Sequence, residues 1–372
     1  MPSPDQYTVG WICAIQTEYT AAVVSLDELH DPPTSLPPRN QNDFTLGKIG
    51  NHNVVISVLP MGEYGTSSAA QVAEGMVQAF PNVRIALMVG IGGGAPSPKH
   101  DIRLGDIVVG IPKNGRGGIF QYDFGKAIQD QEFKPTGFHN KAPTFLRNAV
   151  SGLAMKYEHE GHRIEDLIRE LLEKKPRLRK KYSRPNPATD RLYKSDSMHP
   201  FGNESSCDLV CSSDKTSLVL RAPRTDEDDN PAIHYGLIAS ANTLMKDAKI
   251  RDEIAKKNDV LCFEMEAAGL VNSFPCLVIR GICDYSDSHK NKEWQGYAAM
   301  TAAAYAKDLL YRIIPQGVIQ QEKITNILKQ GDHYITNNTY KEGDTNITFS
   351  GNNSGFQVGM NNGSINDVTT GR

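Results

Sequence analysis

Residues 261–270 read LCFEMEAAGL, and this stretch decides how the rest of the sequence is interpreted. It begins like a buried strand, then places Glu264 and Glu266 around Met265 and continues directly into Ala-Ala-Gly-Leu. Small residues let a helix pack close to its neighbour, so the pattern predicts a strand followed by a helix. Acidic residues favour a first helical turn, but that accounts for one glutamate on the outside of the helix. A buried carboxylate is costly unless it is paired or hydrogen-bonded, so the second glutamate needs a partner.

Strand and helix patterns alternate on both sides of this stretch. Apolar runs predict strands at 7–15, 53–60, 84–96, 104–112, 232–240 and 276–287. Helical patterns occupy 65–80, 242–258 and 294–314, and the last of these is rich in alanine and is expected to close the domain. Strands that alternate with helices indicate an α/β layer architecture.

Composition limits the class of protein. The chain has 372 residues and a formal net charge of -3, which argues against a nucleic-acid binder that relies on bulk electrostatics. No secretory signal pattern opens the sequence, and no apolar run is long enough to span a membrane. Several of the six cysteines lie in apolar runs, which suits buried thiols in a reducing compartment. We therefore expect a cytoplasmic protein that binds neither nucleic acid nor a membrane.

Two regions differ from the α/β pattern. Residues 151–205 contain a charged amphipathic helix and a polar loop, which predicts a surface insertion, and the basic run 174–181 is either a solvated surface or a phosphate-binding arm. From residue 331 the chain is rich in Asn, Gly, Ser and Thr and has too few apolar residues to build a core. We therefore expect one α/β domain over 1–330, with 151–205 as its insertion, and a disordered tail over 331–372.

Carboxylates follow three of the predicted strands. Glu18 comes just after GWICAIQT, the pair Glu264 and Glu266 interrupts LCFEMEAAGL, and Asp284 ends CLVIRGICD. In α/β sheets the ligand usually binds at the carboxyl ends of the strands, so these acids are expected to meet in one crevice. Each acid taken alone could instead be a helix cap or a turn residue.

A glycine-rich loop, VGIGGGAP at 89–96, lies between these acids in the sequence. Gly90, Gly92 and Gly93 allow the backbone to approach a ligand closely. The spacing is not that of the dinucleotide fingerprint, so no such cofactor is expected. Cys207 and Cys211 in CDLVC could belong to a metal site, but without a second pair or a histidine cluster nearby we expect no metal.

Together these motifs resemble the nucleoside phosphorylase and nucleosidase family. EMEAAGL followed by VIRGICD is the most specific part, and GIGGGAP…DIRLGDIVV and GWICAIQTEYTAA support it. The resemblance covers residues 7–112 and 233–314. It implies an α/β, three-layer, purine phosphorylase-type fold with a twisted mixed central sheet flanked by helices. GGIFQYDFGK and CDYSDSHKNKEWQGYAA resemble a fungal branch attached to intracellular immune-type receptors.

The resemblance implies roles for several of these residues. The glutamate matching Glu266 accepts hydrogen bonds from the ribose 2′- and 3′-hydroxyls, a task that suits an acceptor-only carboxylate. The methionine matching Met265 packs against the sugar. Asp284 matches the general acid that protonates the departing purine while the sugar gains oxocarbenium character. Glu264 has no assigned role in the family, and it could orient the loop or cap the helix.

The position of the nucleophile favours water over phosphate. A glutamate matching Glu18 orients and deprotonates water in the hydrolytic members, whereas bacterial-type phosphorylases carry an arginine in this region. Met88 and Ile91 occupy the positions where a second phosphate-binding arginine and a serine usually occur. The resemblance therefore predicts a purine nucleosidase, expected to release adenine, with no cofactor. The alternatives are a phosphate-dependent phosphorylase and a nucleotide-sensing module with little turnover.

The purine base of the substrate is expected near residues 239–245, ASANTLM. Leu244 and Met245 match positions that flank adenine in related hydrolases, although both also suit a helix core. Asn242 could read the edge of the base, or it could cap the helix that follows.

A nucleotide substrate would need cations for its phosphates. Family members tied to immunity include enzymes that remove adenine from ATP and related nucleotides. Lys99, Arg103 and Arg116 lie in loops that follow predicted strands at the expected face, so they are the candidate phosphate ligands. Exposed loop charges are, however, more often simply solvated.

The tail contains an almost mirror-symmetric segment around Gln357. Residues 352–366 read NNSGFQVGMNNGSIN, which resembles fungal pseudo-palindromic relatives of the RHIM amyloid-signalling motif. Short segments of low charge with Asn and Gln ladders can stack as cross-β structure. We expect residues 353–366 to assemble with an immune-type partner that carries a matching motif, and the alternative is a flexible linker. The family resemblance also implies a homo-oligomer.

Overall fold

The computed structural model describes residues 2–328 except 138, 201, 203–204, 206, 212–215, 226, 273 and 290–291. The expected disorder of 331–372 and the motif at 353–366 lie outside the described residues. The strands are β1 (Val9–Cys13), β2 (Glu28–Leu29), β3 (Phe44–Ile49), β4 (His52–Val58), β5 (Ile85–Gly94), β6 (Ile107–Gly110), β7 (Ile119–Gln121), β8 (Gly125–Lys126), β9 (Lys134–Pro135), β10 (Ile233–Ser240), β11 (Val260–Glu264) and β12 (Cys276–Asp284). The helices are α1 (Gln16–Val24), α2 (Thr66–Ala79), α3 (Thr144–Glu160), α4 (Ile164–Lys174), α5 (Arg179–Tyr182), α6 (Cys207–Val210), α7 (Ala248–Asn258), α8 (Gln295–Arg312) and α9 (Pro315–Ile319).

The central sheet is mixed, as the resemblance implied. Its order is β11-β10-β6-β12-β5-β1-β4-β3-β2, and β7 pairs with β10. β1 and β12 both run parallel to β5, whereas β6 runs antiparallel to β12. β11 also pairs antiparallel with the end of β5, so that Cys262 lies opposite Gly94 and Phe263 opposite Gly93. This last pairing closes part of the sheet on itself. The glycine-rich segment that the sequence predicts to be a loop is therefore the end of strand β5, because Gly90, Gly92 and Gly93 pair with β12 and Gly93 also lies opposite β11.

Helices pack on this sheet in layers. The alanine-rich α8 lies on β12 and β5, and α1, α3, α4 and α5 pack against α8 in turn. The small side chains permit a very close approach, since a Cβ on Gly281 of β12 would overlap the backbone of Ala298. The interior between the layers is apolar, with Trp11 and Met76 fully buried. The expected α/β architecture with a mixed sheet and flanking helices is confirmed.

The region expected to be a surface insertion contributes to the main core. Helix α3 runs through residue 150, and the buried residues Ile168, Leu172 and Tyr182 of α4 and α5 belong to the same apolar core as the sheet. The amphipathic pattern explains this, because the apolar face of α4 must be covered. The domain boundaries drawn from the sequence stay predictions.

The helix predicted directly after Glu266 is replaced by a single 3-10 turn, Ala267–Gly269. A Cβ on Gly269 would overlap the backbone of Thr66, so the turn is pressed against the start of α2. Pro275 then disfavours helical backbone at the residue before it and leads into β12. The small residues in EMEAAGL therefore serve close packing of a turn and not of a long helix.

The helix predicted over 242–258 begins only at Ala248. Asp247 caps it, because its carboxylate accepts from the backbone N–H groups of Lys249 (2.8 Å) and Ile250 (3.1 Å). Residues 242–247 are thereby left as a loop beside the end of β10. None of the helices described is long and apolar enough to cross a membrane.

Candidate active site

A cavity of about 410 Å³ lies at the carboxyl ends of β1, β5, β11 and β12. Glu18, Glu266 and Asp284 all line it, although they are far apart in the sequence. They meet because the parallel strands β1, β5 and β12 end at one edge and β11 folds over onto β5. Apolar and aromatic side chains complete the wall, among them Tyr64, Leu244, Phe263 and Met265.

Glu18 is buried and held by backbone amides. It lies in the first turn of α1, where its Oε2 accepts from the N–H groups of Ala14 (2.6 Å) and Ile15 (3.2 Å). Its Oε1 accepts from the N–H of Ile91 at 2.8 Å, which ties the start of α1 to β5. Burial raises the pKa of Glu18, and Arg280 and the amides oppose that shift. Glu18 therefore both caps its helix and presents a strengthened base to the cavity.

Two glycines of β5 make room for the acids. A Cβ on Gly90 would overlap the Glu18 carboxylate and the Arg280 guanidinium. A Cβ on Gly93 would overlap Asp284. Any larger residue would displace Glu18, Arg280 or Asp284, so these glycines permit close approach between protein groups as well as towards a ligand. Gly92 and Gly93 also line the cavity, whereas Gly90 lies behind it.

Arg280 is the residue that sequence reasoning missed. It is 1% exposed in the middle of β12, and its guanidinium pairs with Glu264 and lies 3.6 Å from Glu266 and 4.0 Å from Glu18. The sequence does carry a signal for it, because Arg280 lies inside the apolar run VIRGICD and a buried cation requires buried anions as partners. One arginine thus holds three carboxylates in place.

Glu264 and Glu266 have different surroundings, which answers why the sequence carries both. Glu264 accepts from the N–H groups of Glu266 (3.2 Å) and Ala267 (3.0 Å) and pairs with Arg280, so it anchors the turn after β11. Glu266 accepts one bond, from the N–H of Gly65 at 3.3 Å, and retains acceptor capacity at the cavity. Burial raises the pKa of Glu266 to about 7 against the opposing effect of Arg280.

Asp284 ends β12 and is 4% exposed. Its Oδ1 accepts from the N–H of Ser286 at 2.9 Å, and its Oδ2 accepts from the thiol of Cys283 at 3.1 Å. These contacts orient the carboxyl group in the cavity wall beside Gly93 of β5.

The three residues expected at the base lie in different places. Leu244 lines the cavity and is 46% exposed, whereas Met245 is buried in an apolar cluster with Phe263. Asn242 Oδ1 accepts from the backbone N–H and the hydroxyl of Thr66, both at 3.1 Å. Asn242 therefore caps α2, a helix distant in sequence, and not the helix that follows it.

None of the expected phosphate ligands Lys99, Arg103 and Arg116 lines the cavity. Each is engaged elsewhere: Lys99 with Asp259 at 3.0 Å, Arg103 with a neighbouring aspartate at 2.6 Å, and Arg116 over a phenylalanine ring at 3.9 Å. The cations that do line the cavity are Lys246 and Lys292, both exposed. Sequence reasoning missed them because nothing local distinguishes a lysine at a cavity from one elsewhere on the surface.

A group of possible metal ligands lies away from the cavity. In the described part of the chain, His199, Cys207 and Cys211 are close enough to share an ion. The sequence analysis expects no metal at Cys207 and Cys211, because it finds neither a second cysteine pair nor a histidine cluster nearby, whereas the fold brings His199 to both cysteines.

A protein of Hyaloscypha variabilis, described as a nucleotide-binding leucine-rich repeat (NLR)-like protein, is 46% identical to this chain over 316 residues. The match covers 85% of this chain and 30% of the relative, so the chain spans less than a third of that protein's length.

Several solved structures share the fold over nearly their whole length. Futalosine hydrolase of Helicobacter pylori has a TM-score of 0.52 at 15% identity, covering 83% of this chain and 99% of its own. The 5′-methylthioadenosine/S-adenosylhomocysteine nucleosidase of the same organism gives the same TM-score, identity and coverage. The corresponding nucleosidase of Neisseria meningitidis has a TM-score of 0.51 at 15% identity, covering 82% of this chain and 99% of its own.

A further match falls on the tail. Residues 341–367 fit the family model of the SesB domain on fungal death-pathway proteins. The chain therefore combines the nucleoside phosphorylase and nucleosidase fold with a segment that matches the SesB domain.

Proposed function

We propose that this protein hydrolyses the N-glycosidic bond of a purine nucleoside or nucleotide and releases the free base. The observation that carries the proposal is the meeting of Glu18, Glu266 and Asp284 in one cavity. Hydrolysis of this bond needs a base for water, an acceptor for the sugar hydroxyls and an acid for the leaving purine. Each of the three carboxyl groups suits one of these tasks.

The reaction follows from their positions. Asp284 donates a proton to the purine as the bond between C1′ and the base nitrogen breaks, and the sugar gains oxocarbenium character. Glu18 takes a proton from water, whose oxygen bonds to C1′. Glu266 accepts the ribose hydroxyls and holds the sugar, with Met265 against it. Arg280 keeps Glu18 and Glu266 in position without touching the substrate.

Water is favoured over phosphate as the nucleophile. Met88 is 1% exposed, and its sulfur accepts from Arg280 at 3.4 Å. The backbone N–H of Ile91 is bound to Glu18, and its side chain is apolar. Neither position offers a donor to a phosphate. A phosphorylase remains the alternative if phosphate binds elsewhere in the cavity.

Product analysis tests the reaction. Adenosine, methylthioadenosine, AMP and ATP are incubated with the protein, with and without phosphate, and the products are separated by chromatography. We expect free adenine and an unphosphorylated C1′ hydroxyl in phosphate-free buffer. A strict requirement for phosphate with formation of ribose 1-phosphate would identify a phosphorylase, and binding without base release would identify a sensing module.

We further propose that the substrate carries phosphate groups. Lys246 and Lys292 line the cavity, and neither forms an ion pair within the part of the chain that the structure describes. Ammonium groups beside a nucleoside site suit the phosphates of a nucleotide. We therefore propose that Lys246 and Lys292, and not Lys99, Arg103 or Arg116, bind the phosphates of the ATP-type substrate that the resemblance implies.

The SesB match and the NLR-like relative support a role in a fungal immune or death response. We propose that the tail assembles as a cross-β structure with a partner that carries a matching segment, while the domain releases base as a homo-oligomer. A peptide of residues 331–372 should then grow thioflavin-positive fibres, and replacing Gln357 and Val358 should abolish growth. A peptide that stays soluble and monomeric would leave the tail as a linker.

A further inference from the structure

Three metal-ligating side chains meet in the segment between α5 and β10. His199 Nδ1 lies 3.1 Å from Cys211 Sγ and 3.5 Å from Cys207 Sγ. Cys207 opens α6, and the N–H of Cys211 donates to the carbonyl of Cys207 at 2.9 Å. The two sulfurs are thus one helical turn apart on the same side of the chain. Neither cysteine is in a disulfide.

The donor set and its spacing suit zinc. Two thiolates and an imidazole are typical ligands of a tetrahedral Zn²⁺ site. With zinc about 2.3 Å from sulfur and about 2.0 Å from nitrogen, the two ligand atoms on one ion are about 3.5 Å apart. The distances from His199 Nδ1, 3.1 and 3.5 Å, are close to that edge of a tetrahedron. The fourth position would be filled by water or by a further side chain.

A buried histidine nitrogen, Nδ1 of His289, lies beside this cluster. The ring of His289 lies 6.0 Å from that of His199 and stacks on Tyr193 at 3.7 Å. His289 is 8% exposed, and its Nδ1 has no hydrogen-bond partner among the described residues. A buried nitrogen without a partner is costly, and a neighbouring cation or its bound water would remove that cost.

The cluster connects two parts of the fold. The backbone N–H of His199 donates to Ser288 Oγ at 2.9 Å, and Cys207 Sγ lies 3.4 Å from the carbonyl oxygen of His289. Both contacts fall on the loop that directly follows Asp284. Arg221 strengthens the same junction, because it donates to the Tyr285 hydroxyl at 2.8 Å.

We propose that His199, Cys207 and Cys211 bind one structural Zn²⁺ that fastens this segment to the loop after Asp284. The ion lies outside the cavity and takes no part in bond cleavage. It stabilises the loop that directly follows the acid Asp284, and this link to turnover rests on the proposed function. The metal site itself does not depend on that function.

Metal analysis of the full-length chain tests the proposal. The protein is purified from zinc-sufficient medium without chelator and without a metal-binding tag, and zinc is measured by mass spectrometry. We expect about one zinc per chain, and less than about a tenth of that in the Cys207→Ser/Cys211→Ser variant. Cys276→Ala is the matched control, because it removes a buried thiol of β12 outside the cluster.

A measurement on the wild-type chain covers the case in which the double variant fails to fold. Exchange of zinc for Co²⁺ should produce thiolate-to-cobalt charge-transfer absorption, which His199→Ala should weaken and His159→Ala, at an exposed histidine of α3, should not. A zinc-free wild-type chain without the cobalt signal would overturn the proposal. Zinc retained by a folded double variant, or a disulfide between Cys207 and Cys211 in the purified protein, would do so as well.

Discussion

The cavity has a buried wall and an exposed rim that are built in opposite ways. In the buried wall, formed by Glu18, Glu264, Glu266 and Asp284 with Arg280 behind them, every residue is at most 6% exposed. In the exposed rim, formed by Tyr64, Leu244, Lys246 and Lys292, Tyr64 is 64% and Leu244 46% exposed. In the wall, Arg280 pairs with Glu264 and lies close to Glu18 and Glu266, whereas the lysines of the rim form no ion pair with a described residue.

This difference separates the reaction from the choice of substrate. In the wall, charges removed from water interact strongly, and the groups are oriented before a substrate arrives. In the rim, solvent screens each charge, so single contacts contribute little. We therefore infer that the wall carries the bond cleavage and that the rim selects what is attached beyond the sugar. Mutations in the two regions should differ in size and in the kinetic constant they affect.

The largest effect is expected in the wall at Asp284. Asp284→Asn keeps the shape of the side chain but removes the acid, so kcat for base release should fall at least about 100-fold. Substrate affinity, measured by calorimetry, should change much less, because the proton matters mainly in the transition state. Asp287→Asn, in the same loop but outside the cavity lining, is the control and should keep most of the activity. Near wild-type turnover by Asp284→Asn would remove the acid from the mechanism.

The next effect sharpens the contrast between the two neighbouring glutamates. Glu266→Gln should raise KM and lower kcat together, by about 10-fold in kcat/KM, because a charged acceptor contributes about 1.5–3 kcal/mol. The loss of kcat/KM caused by Glu266→Gln should be smaller for a 2′-deoxy substrate. Glu264→Gln should mainly lower the melting temperature, because it leaves the buried Arg280 without its closest partner. If Glu264→Gln lost activity at full stability and Glu266→Gln did not, the assigned roles would be reversed.

A smaller effect is expected at the rim. Lys246→Ala/Lys292→Ala should raise KM for ATP up to about 10-fold and leave kcat and the KM for adenosine nearly unchanged. High salt should reduce the difference, since screening weakens exposed contacts. Lys99→Ala is the matched control, because Lys99 pairs with Asp259 outside the cavity. An equal increase in KM for ATP and for adenosine would mean that the rim lysines do not bind the phosphates.

The smallest effect concerns stability and pH. The folded protein retains a proton on Glu266 up to its raised pKa of about 7, whereas the unfolded chain releases it near the ordinary value of 4.5. Between these values the folded state binds more protons, so its unfolding free energy falls as pH rises. Glutamine does not titrate, so the unfolding free energy of Glu266→Gln minus that of the wild type should be at least about 1 kcal/mol larger at pH 8 than at pH 5. Denaturant titrations at both pH values measure this, and a constant difference would place the wild-type pKa near its ordinary value.

The sequence predicted the members of the site better than their contacts. Glu18, Glu266 and Asp284 follow strands, and strand ends at one edge of a sheet can be inferred from the hydrophobic pattern alone. Arg280 was missed, although it stands in an apolar run, because its partners come from three other places in the chain. Lys99, Arg103 and Arg116 are predicted as phosphate ligands from the order of loops in the sequence, which does not give the distance of a loop from the cavity, and none of the three lines it.

By itself, the sequence determined the α/β class, the alternation of strands and helices and the position of the acids at strand ends. These are local properties, because periodicity, turn residues and small residues act over a few neighbours. Only the tertiary structure decided that Glu264 anchors a turn while Glu266 retains acceptor capacity at the cavity, that Asn242 caps α2 and that His199 meets Cys207 and Cys211. The pairing of β11 with β5, and the contacts of His199 and Cys207 with the loop after Asp284, join residues that are far apart in the sequence, so no run of neighbouring residues specifies them.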